Sequence, residues 1–305
     1  MTGQVQRRML VVAHHSRPVV RDTAQRVLDL LAGAGVLPRV LDDEVGGLDL
    51  SRVEVVGNGP AAAAGVEVVL VLGGDGSLLR AAELARGHGA PLLGVNLGHV
   101  GFLAETEPEA IEQTVDHVLR RAYEVEERMT VDVVVRQGGS EVARSWALNE
   151  VSLEKVDRGR MIECLLEIEG RPLSRWSCDG VVCATPTGST AYAFSAGGPI
   201  VWPDVEALLV VPISAHALFA RPLMVSPAAT VAWEVQEATS AGLLTCDGRR
   251  AFDVPTGSRV EVVRGAEPVR LARIHAQPFG DRLVAKFGLP VEGWRGATRR
   301  VVRGG

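Results

Sequence analysis

Residues 66–77 read VEVVLVLGGDGS, and this stretch is the clearest indication of the fold class. The apolar run 66–72 has the length and the Val and Leu content of a buried strand. Gly73–Gly76 then turns the chain, and residues 77–85 carry apolar side chains at helical spacing. A buried strand that leads through a glycine turn into a helix is the repeating unit of open α/β sheets.

The same alternation of strand and helix signals continues on both sides of this stretch. Residues 55–65, rich in Gly and Ala with Pro60, are expected to form a loop. We therefore predict a doubly wound α/β domain over residues 1–128. Its further strands are expected over 9–13 and 91–95, and its further helices over 19–31 and 108–123.

The pattern changes near Met129, where short strands separated by Gly and Pro replace the alternation. This pattern predicts an all-β second domain over residues 129–276. The prediction allows the C-terminal segment 277–305 to belong to the first domain. The predicted fold class is thus α/β plus β, with the active site between the two domains. The expected β strands are 130–136, 143–148, 151–153, 162–168, 181–184, 207–211, 230–235, 259–263 and 269–274.

Composition and charge exclude several classes of protein. The formal net charge is −5, whereas binding to a nucleic-acid backbone needs a basic surface. The four cysteines have no metal-ligand or disulfide-framework spacing, so reduced, buried thiols are expected. No run approaches the roughly 18 apolar residues of a membrane-spanning helix. We expect a cytoplasmic protein that binds neither nucleic acid nor membranes.

The glycine turn at the end of the buried strand is typical of a phosphate-binding site. Glycines allow close approach of the backbone to a ligand, and a helix N-terminus offers unpaired N–H groups. Gly73, Gly74, Gly76 and Ser77 are therefore expected to hold a phosphate donor. Asp75 beside such a turn is suited to accept a proton from an attacking hydroxyl, although an Asx turn or a helix cap remains an alternative.

Two later stretches carry weaker signals for a polar ligand. Asn149-Glu150 follows a predicted strand and suits an adenine edge and ribose hydroxyls; taken alone, it is better explained as a solvated turn. The run 185–192 reads TPTGSTAY and offers hydroxyl and backbone donors. On composition alone this run is an ordinary Ser/Thr-rich loop.

Together these blocks resemble the NAD kinase family. A GGDG turn by itself also occurs in lipid kinases and phosphofructokinases, but several blocks in this order are specific. The resemblance covers about residues 10–294. The matching blocks are 73–77, 96–103, 149–151, 179–199, 212–216 and 247–249.

The resemblance implies roles for individual residues. Asp75 matches the catalytic aspartate, which also contacts the dinucleotide, and Gly76 and Arg80 line the same site. Because no P-loop lysine is present, we expect Arg80 to contact phosphate oxygens; the alternative is a surface arginine. Asn149 and Glu150 match the pair that holds the adenosine part of NAD. Further NAD contacts are expected from Arg160, Asp179, Thr190, Ala191, Tyr192, Ala193, Phe194 and Ser195.

The implied reaction is phosphoryl transfer from ATP or polyphosphate to the 2′-hydroxyl of the adenosine ribose of NAD, which makes NADP. Magnesium or another divalent metal is expected to accompany ATP, and a homo-oligomer, dimer or tetramer, is implied. One alternative is a lipid or sphingoid-base kinase, which would lack the Asn149-Glu150 and 185–192 blocks. Another is a non-catalytic dinucleotide sensor, which would not need Asp75.

Overall fold

The computed structural model describes residues 6–13, 18–97, 101–104, 110–237, 239–274 and 278–291. The described residues form two compact units. One unit draws on Met1–Glu126 and Arg270–Gly305, and the other on Glu127–Val269.

The secondary structure alternates between strands and helices in the first part of the chain and is almost entirely β in the second. From the N-terminus the elements are β1 (Arg8–Ala13), α1 (Pro18–Gly33), β2 (Leu37–Leu41), β3 (Glu54–Val56), β4 (Val68–Leu72), α2 (Asp75–Ala85), β5 (Leu92–Val95), α3 (Ile111–Leu119) and β6 (Glu124–Arg128). They continue with β7 (Val131–Gln137), β8 (Ser140–Ala147), β9 (Glu150–Lys155), β10 (Ile162–Ile168), β11 (Arg171–Cys178), β12 (Gly180–Ala184), α4 (Tyr192–Ser195), β13 (Leu208–Ile213), β14 (Leu223–Val225), β15 (Val231–Val235), β16 (Gly242–Cys246), β17 (Arg250–Val254), β18 (Ser258–Arg264), β19 (Val269–Arg273) and α5 (Phe279–Phe287).

A seven-stranded sheet in the order β3-β2-β1-β4-β5-β19-β6 forms the first unit. The neighbouring strands from β3 through β19 pair in parallel. The order changes direction between β1 and β4, whose last residues, Ala13 and Leu72, are partners. In open α/β sheets such a reversal creates a crevice beyond the carboxyl ends of the strands, where ligands bind.

Helices cover both faces of this sheet. Met9 and Val11 of β1 belong to one buried cluster with side chains of α1 and α3. Leu10, which points to the opposite face, is equally buried. On that face Leu78 of α2 packs so closely on Gly94 of β5 that a Cβ there would collide with it. The predicted doubly wound α/β fold is confirmed.

The second unit is a sandwich of two six-stranded antiparallel sheets, which confirms the predicted all-β domain. Their orders are β11-β10-β15-β18-β7-β8 and β14-β13-β12-β9-β16-β17. Side chains of both sheets, including Trp176 and Trp233 from one and Leu153 and Val181 from the other, share one buried cluster. Ala193 of α4 packs on the outer face of the second sheet.

The strand expected over 269–274 belongs to a different sheet from the one predicted. It forms β19 and pairs in parallel with β5 through Leu271 and Leu92. Alternating apolar residues identify a strand but not its partner, so the sequence could not show that the chain returns to the first sheet here. The loop expected over 55–65 also contains the end of β3 and a 3-10 turn at Pro60–Ala63.

Two further sequence expectations concern helices and cysteines. The helix expected over 108–123 is shorter, Ile111–Leu119, and Pro108 lies outside the described residues. All four cysteines are buried free thiols, as predicted. Within the described ranges, no helix has the length and apolar character needed to cross a membrane.

Leu271→Ala tests the placement of β19 in the first sheet. Leu271 is 1% exposed, and truncation of a buried leucine costs about 2–5 kcal/mol. We expect a clear fall in Tm by calorimetry. The control Leu289→Ala, at a leucine that is 46% exposed, should leave Tm nearly unchanged. Equal, small effects of both substitutions would contradict the placement.

Candidate active site

The glycine turn joins the buried strand β4 to α2 at the carboxyl edge of the first sheet. The Gly73 N–H donates to the Val95 carbonyl oxygen at 3.0 Å, which ties the turn to the neighbouring strand. A Cβ on Gly73 would collide with the Ser77 side chain, so the turn requires glycine. The Ser77 and Leu78 N–H groups donate to the Gly74 carbonyl oxygen at 3.0 and 3.2 Å and so begin the helix; the N-terminus of a helix favours binding of phosphate.

Asp75 is the first residue of α2, and its carboxylate is held by a separate segment of the chain. The Phe102 N–H donates to Oδ2 at 3.0 Å and the Leu103 N–H donates to Oδ1 at 3.1 Å. A Cβ on Gly101 would collide with this carboxylate. Both oxygens thus accept from segment 101–103 rather than from the turn that carries Asp75, and each oxygen retains a further lone pair.

Segment 101–103 is in turn held by the returning C-terminal part of the chain. Arg282 of α5 donates from Nη1 to the Phe102 carbonyl oxygen at 2.7 Å, and Arg273 of β19 donates to the Leu103 carbonyl oxygen at 3.0 Å. Sequence reasoning missed both arginines, because they lie 170 or more residues from their partners. Residues 98–100, which belong to the matching block 96–103, lie outside the described residues.

The structure gives Arg80 partners other than the expected phosphate. Its Nη1 and Nη2 donate to Glu44 Oε1 at 2.6 Å and to Asp43 Oδ2 at 2.7 Å. Glu44 also accepts from the Ala13 N–H at the end of β1, at 2.8 Å. Burial raises the pKa of Glu44 to about 7, against the lowering effect of the Ala13 amide and of Arg80. Arg80 therefore balances acidic groups beside the crevice, and its expected contact with phosphate stays a prediction.

In the second unit, Asp247 organises the turn that carries Asn149 and Glu150. Its carboxylate accepts from the consecutive amides of Leu148, Asn149 and Glu150 at 2.9, 2.7 and 3.4 Å. Arg250 donates to the same carboxylate at 3.0 Å. Sequence reasoning had noted residues 247–249 as a matching block but had assigned Asp247 no role. The solvated-turn explanation of Asn149-Glu150 does not hold, because both residues are buried.

The run 185–190 packs directly against the Asn149-Glu150 turn. The Thr185 hydroxyl donates to the Leu148 carbonyl oxygen at 2.6 Å and accepts from the Gly188 N–H at 3.1 Å. The Thr185 N–H donates to the Asn149 carbonyl oxygen at 2.9 Å. A Cβ on Gly188 would lie 2.8 Å from the Asn149 Cα. Hydroxyl groups of this run therefore bond to backbone groups of the protein, and the run holds the Asn149-Glu150 turn in place.

Glu150 has the strongest functional signature in this unit. Its Oε2 atom is buried and has no hydrogen-bond partner, an arrangement that costs stability unless a ligand completes it. Burial and the neighbouring Asp247 carboxylate raise the pKa of Glu150 to about 8, although the Tyr192 backbone amide lowers it. Both effects favour the protonated form of Glu150, which can donate as well as accept a hydrogen bond.

The structure brings some of the remaining predicted site residues to this turn and leaves others apart. Tyr192 reaches the turn through its amide, and its hydroxyl donates to Glu154 Oε2 at 3.1 Å. Asp179 pairs with Lys155. Arg160 lies exposed in the connection between β9 and β10. Of the others, Thr190 and Ala191 are half-buried, Ala193 is buried, and Phe194 and Ser195 are exposed.

The described part of the chain contains no cluster of metal-binding side chains. Among those residues, no group of three or more His, Cys, Asp or Glu side chains is placed to hold an ion.

Gly188→Ala tests the packing of the 185–190 run on the Asn149-Glu150 turn. The added methyl group collides with backbone, which cannot rotate away as a side chain can, and overpacking costs about 1–3 kcal/mol. We expect Tm to fall. Gly33→Ala, where nothing lies within 4 Å of the new Cβ, is the control and should not lower Tm. An unchanged Tm for Gly188→Ala would show that the turns are not in contact.

Arg80→Gln tests whether Arg80 balances Asp43 and Glu44. The Glu44 side chain is only 4% exposed, and a hydrogen bond to a charged group is worth about 1.5–3 kcal/mol. We expect the free energy of unfolding to fall accordingly. Arg26→Gln breaks an exposed pair with Glu112 and should cost less than about 1 kcal/mol. Equal stability of both variants would contradict the proposal that Arg80 balances Asp43 and Glu44.

Comparisons with known proteins agree with these blocks. Residues 10–123 match the model of the ATP-NAD kinase N-terminal domain, and residues 148–274 match that of the ATP-NAD kinase C-terminal domain. The chain is 61% identical over 299 residues to an NAD kinase of Thermobifida fusca, covering 95% of this chain and 92% of that protein. It is 58% identical to NAD kinase 2 of Streptomyces avermitilis, covering 97% and 99%.

Solved structures share the fold. A yeast NADH kinase complexed with NADH gives a TM-score of 0.84 at 23% identity, covering 95% of this chain and 90% of that one. An NAD kinase from Archaeoglobus fulgidus in complex with ATP gives a TM-score of 0.67 at 23% identity, covering 93% and 97%. With both domain models matched in order and relatives at 58–61% identity, the chain belongs to the NAD kinase family.

Proposed function

We propose that Asp75 is the base in the reaction of this NAD kinase, which phosphorylates the 2′-hydroxyl of the adenosine ribose of NAD. The assignment rests on the placement of Asp75, which is the first residue of α2 and lies in the glycine turn. Its carboxylate is held in place by the amides of Phe102 and Leu103. Phosphoryl transfer depends on positioning and charge stabilisation more than on covalent chemistry. A fixed carboxylate with free lone pairs can orient the attacking hydroxyl and take its proton.

The second unit supplies the groups that we propose bind NAD. Glu150 has an unpartnered buried oxygen that a ribose hydroxyl would satisfy. Because burial and Asp247 raise the pKa of Glu150, its protonated form is favoured, and that form can both donate to and accept from a ribose hydroxyl. The neighbouring Asn149 amide suits the adenine edge. Asp179 and residues Thr190–Ser195 are proposed as further NAD contacts.

The phosphate donor is proposed to bind at Gly73, Gly74, Gly76 and Ser77, where the α2 amides face an anion favourably. ATP is the donor that the family description names, and polyphosphate is a second candidate. The described residues contain no cluster of three or more His, Cys, Asp or Glu side chains that could hold an ion. We propose that Mg²⁺ is held mainly by the phosphate oxygens of ATP. Mg²⁺ commonly binds to nucleotides in this way and stabilises the developing charge.

We also propose that the chain forms a homo-oligomer, a dimer or a tetramer. Several large apolar side chains of the second unit are exposed, and aromatic residues and Met are enriched where subunits meet. Leu218 is fully exposed and Trp202, Phe219 and Met224 are about half-exposed.

Asp75→Asn tests the proposed base. With NAD, ATP and Mg²⁺ as substrates, loss of a general base should lower kcat by ~10²–10⁴, measured as NADP formation, while the folded fraction stays constant. Asp281→Asn is the matched control, since Asp281 also lies in the first turn of a helix; its kcat should not change. A near-normal kcat for Asp75→Asn would contradict the assignment of Asp75 as the base. Repeating the wild-type assay with polyphosphate identifies the donor.

A further inference from the structure

A single peptide group connects a buried arginine to the Asp75 carboxylate. The Phe102 carbonyl oxygen accepts from Arg282 Nη1 at 2.7 Å. The N–H of the same peptide group belongs to Leu103 and donates to Asp75 Oδ1 at 3.1 Å. A guanidinium thus lies at the oxygen end of this peptide, and a carboxylate lies at its N–H end.

The two charges act on this peptide in the same direction. A cation at the carbonyl oxygen draws electron density towards that end and makes the N–H a stronger donor. Hydrogen bonds in such a chain polarise one another, and bonds to ionised groups are shorter and stronger than neutral ones. The bond to Asp75 is therefore stronger with Arg282 in place than with a neutral side chain there.

Packing holds Arg282 and the peptide in this arrangement. Arg282 is 6% exposed and lies on α5 between two aromatic residues. The Phe102 ring packs against the rings of Phe279 and Phe287, with centroids 5.8 and 5.9 Å apart. The same residue, Phe102, therefore anchors α5 through its ring and accepts from Arg282 through its carbonyl oxygen.

Arg273 provides an internal comparison. It donates to the Leu103 carbonyl oxygen, which belongs to the next peptide group, and the N–H of that group is carried by Ala104. The hydrogen bonds from this segment to Asp75 come from the amides of Phe102 and Leu103. Of these two arginines, Arg282 alone lies on a peptide group that binds Asp75.

We propose that Arg282 is a positioning residue, which acts through the Phe102–Leu103 peptide to hold the Asp75 carboxylate in its reactive orientation. The proposal rests on the proposed role of Asp75 as the base. In this role Arg282 acts on Asp75 through the peptide group rather than by contact with substrate. Its loss should therefore change the rate of the chemical step and leave the binding of NAD and ATP unchanged.

A double-mutant cycle between Arg282→Gln and Asp75→Asn tests this proposal in the full-length protein. We expect Arg282→Gln to lower kcat by about tenfold or more, with KM for NAD and for ATP within about twofold of wild type. In the Asp75→Asn background it should lower kcat no further, because residues that act as a unit are non-additive. Arg282→Lys keeps a charged donor and should restore part of kcat.

Leu283→Ala is the control for a merely structural role. Leu283 neighbours Arg282 on α5 and is equally buried, at 6% exposure. This variant should lower Tm yet keep kcat at a temperature where the protein is folded. If Arg282→Gln fails to fold, Arg282→Lys in both backgrounds provides the same comparison.

The possible results separate this proposal from the assignment of Asp75. An unchanged kcat for Arg282→Gln, or an equal fall in both backgrounds, overturns the role of Arg282 while Asp75 remains the base. A rise in KM with unchanged kcat overturns it as well. A near-normal kcat for Asp75→Asn alone overturns the base assignment, and with it the proposed action of Arg282.

Discussion

The hydrogen bonds from the Phe102 and Leu103 amides to the Asp75 carboxylate are the interaction on which the active site of the first unit depends. They fix a carboxylate at the start of α2, next to a turn suited to phosphate. Without them, a short acidic side chain beside anionic ligands would be driven away by charge repulsion. Gly101 is required in this segment because any Cβ there would occupy the space of the carboxylate.

The second unit uses the same device for a different purpose. Asp247 accepts from three consecutive amides and so shapes the turn that presents Asn149 and Glu150. The arrangement has an energetic cost, since burial raises the pKa of Asp247 and, together with Asp247, raises that of Glu150 to about 8. Active sites commonly retain such perturbed carboxyl groups because substrate binding uses them.

Local sequence patterns predicted the strands and helices well, but they did not predict which distant residues or strands these elements contact. The stretch 66–77 predicted a strand, a turn and a helix, because the apolar run and the glycines act within a few residues. The role of Arg80 was not predictable in this way, since its partners Asp43 and Glu44 lie 36–37 residues earlier in the chain. Arg282 and the return of β19 to the first sheet involve still larger separations.

The candidate site was predictable where the chemistry lies in a contiguous motif. Asp75 and Glu150 were proposed as site residues from such motifs, and their roles stay predictions, whereas the contacts that hold them were not predicted. On composition alone Gly188 belongs to an ordinary Ser/Thr-rich loop, yet it is the position where one turn packs on another. Asp247 adopts a positive φ of 54°, which sequence alone does not predict for an aspartate, and this conformation forms part of the turn that directs its carboxylate to residues 148–150.

A crystal structure of the protein with NAD bound would test whether Asp75 acts on the 2′-hydroxyl of the adenosine ribose. We expect a carboxylate oxygen of Asp75 within about 2.6–3.2 Å of the ribose 2′-oxygen, with the Phe102 and Leu103 amides still bound to the carboxylate. A 2′-oxygen beyond hydrogen-bonding reach of Asp75, with another side chain in its place, would contradict it.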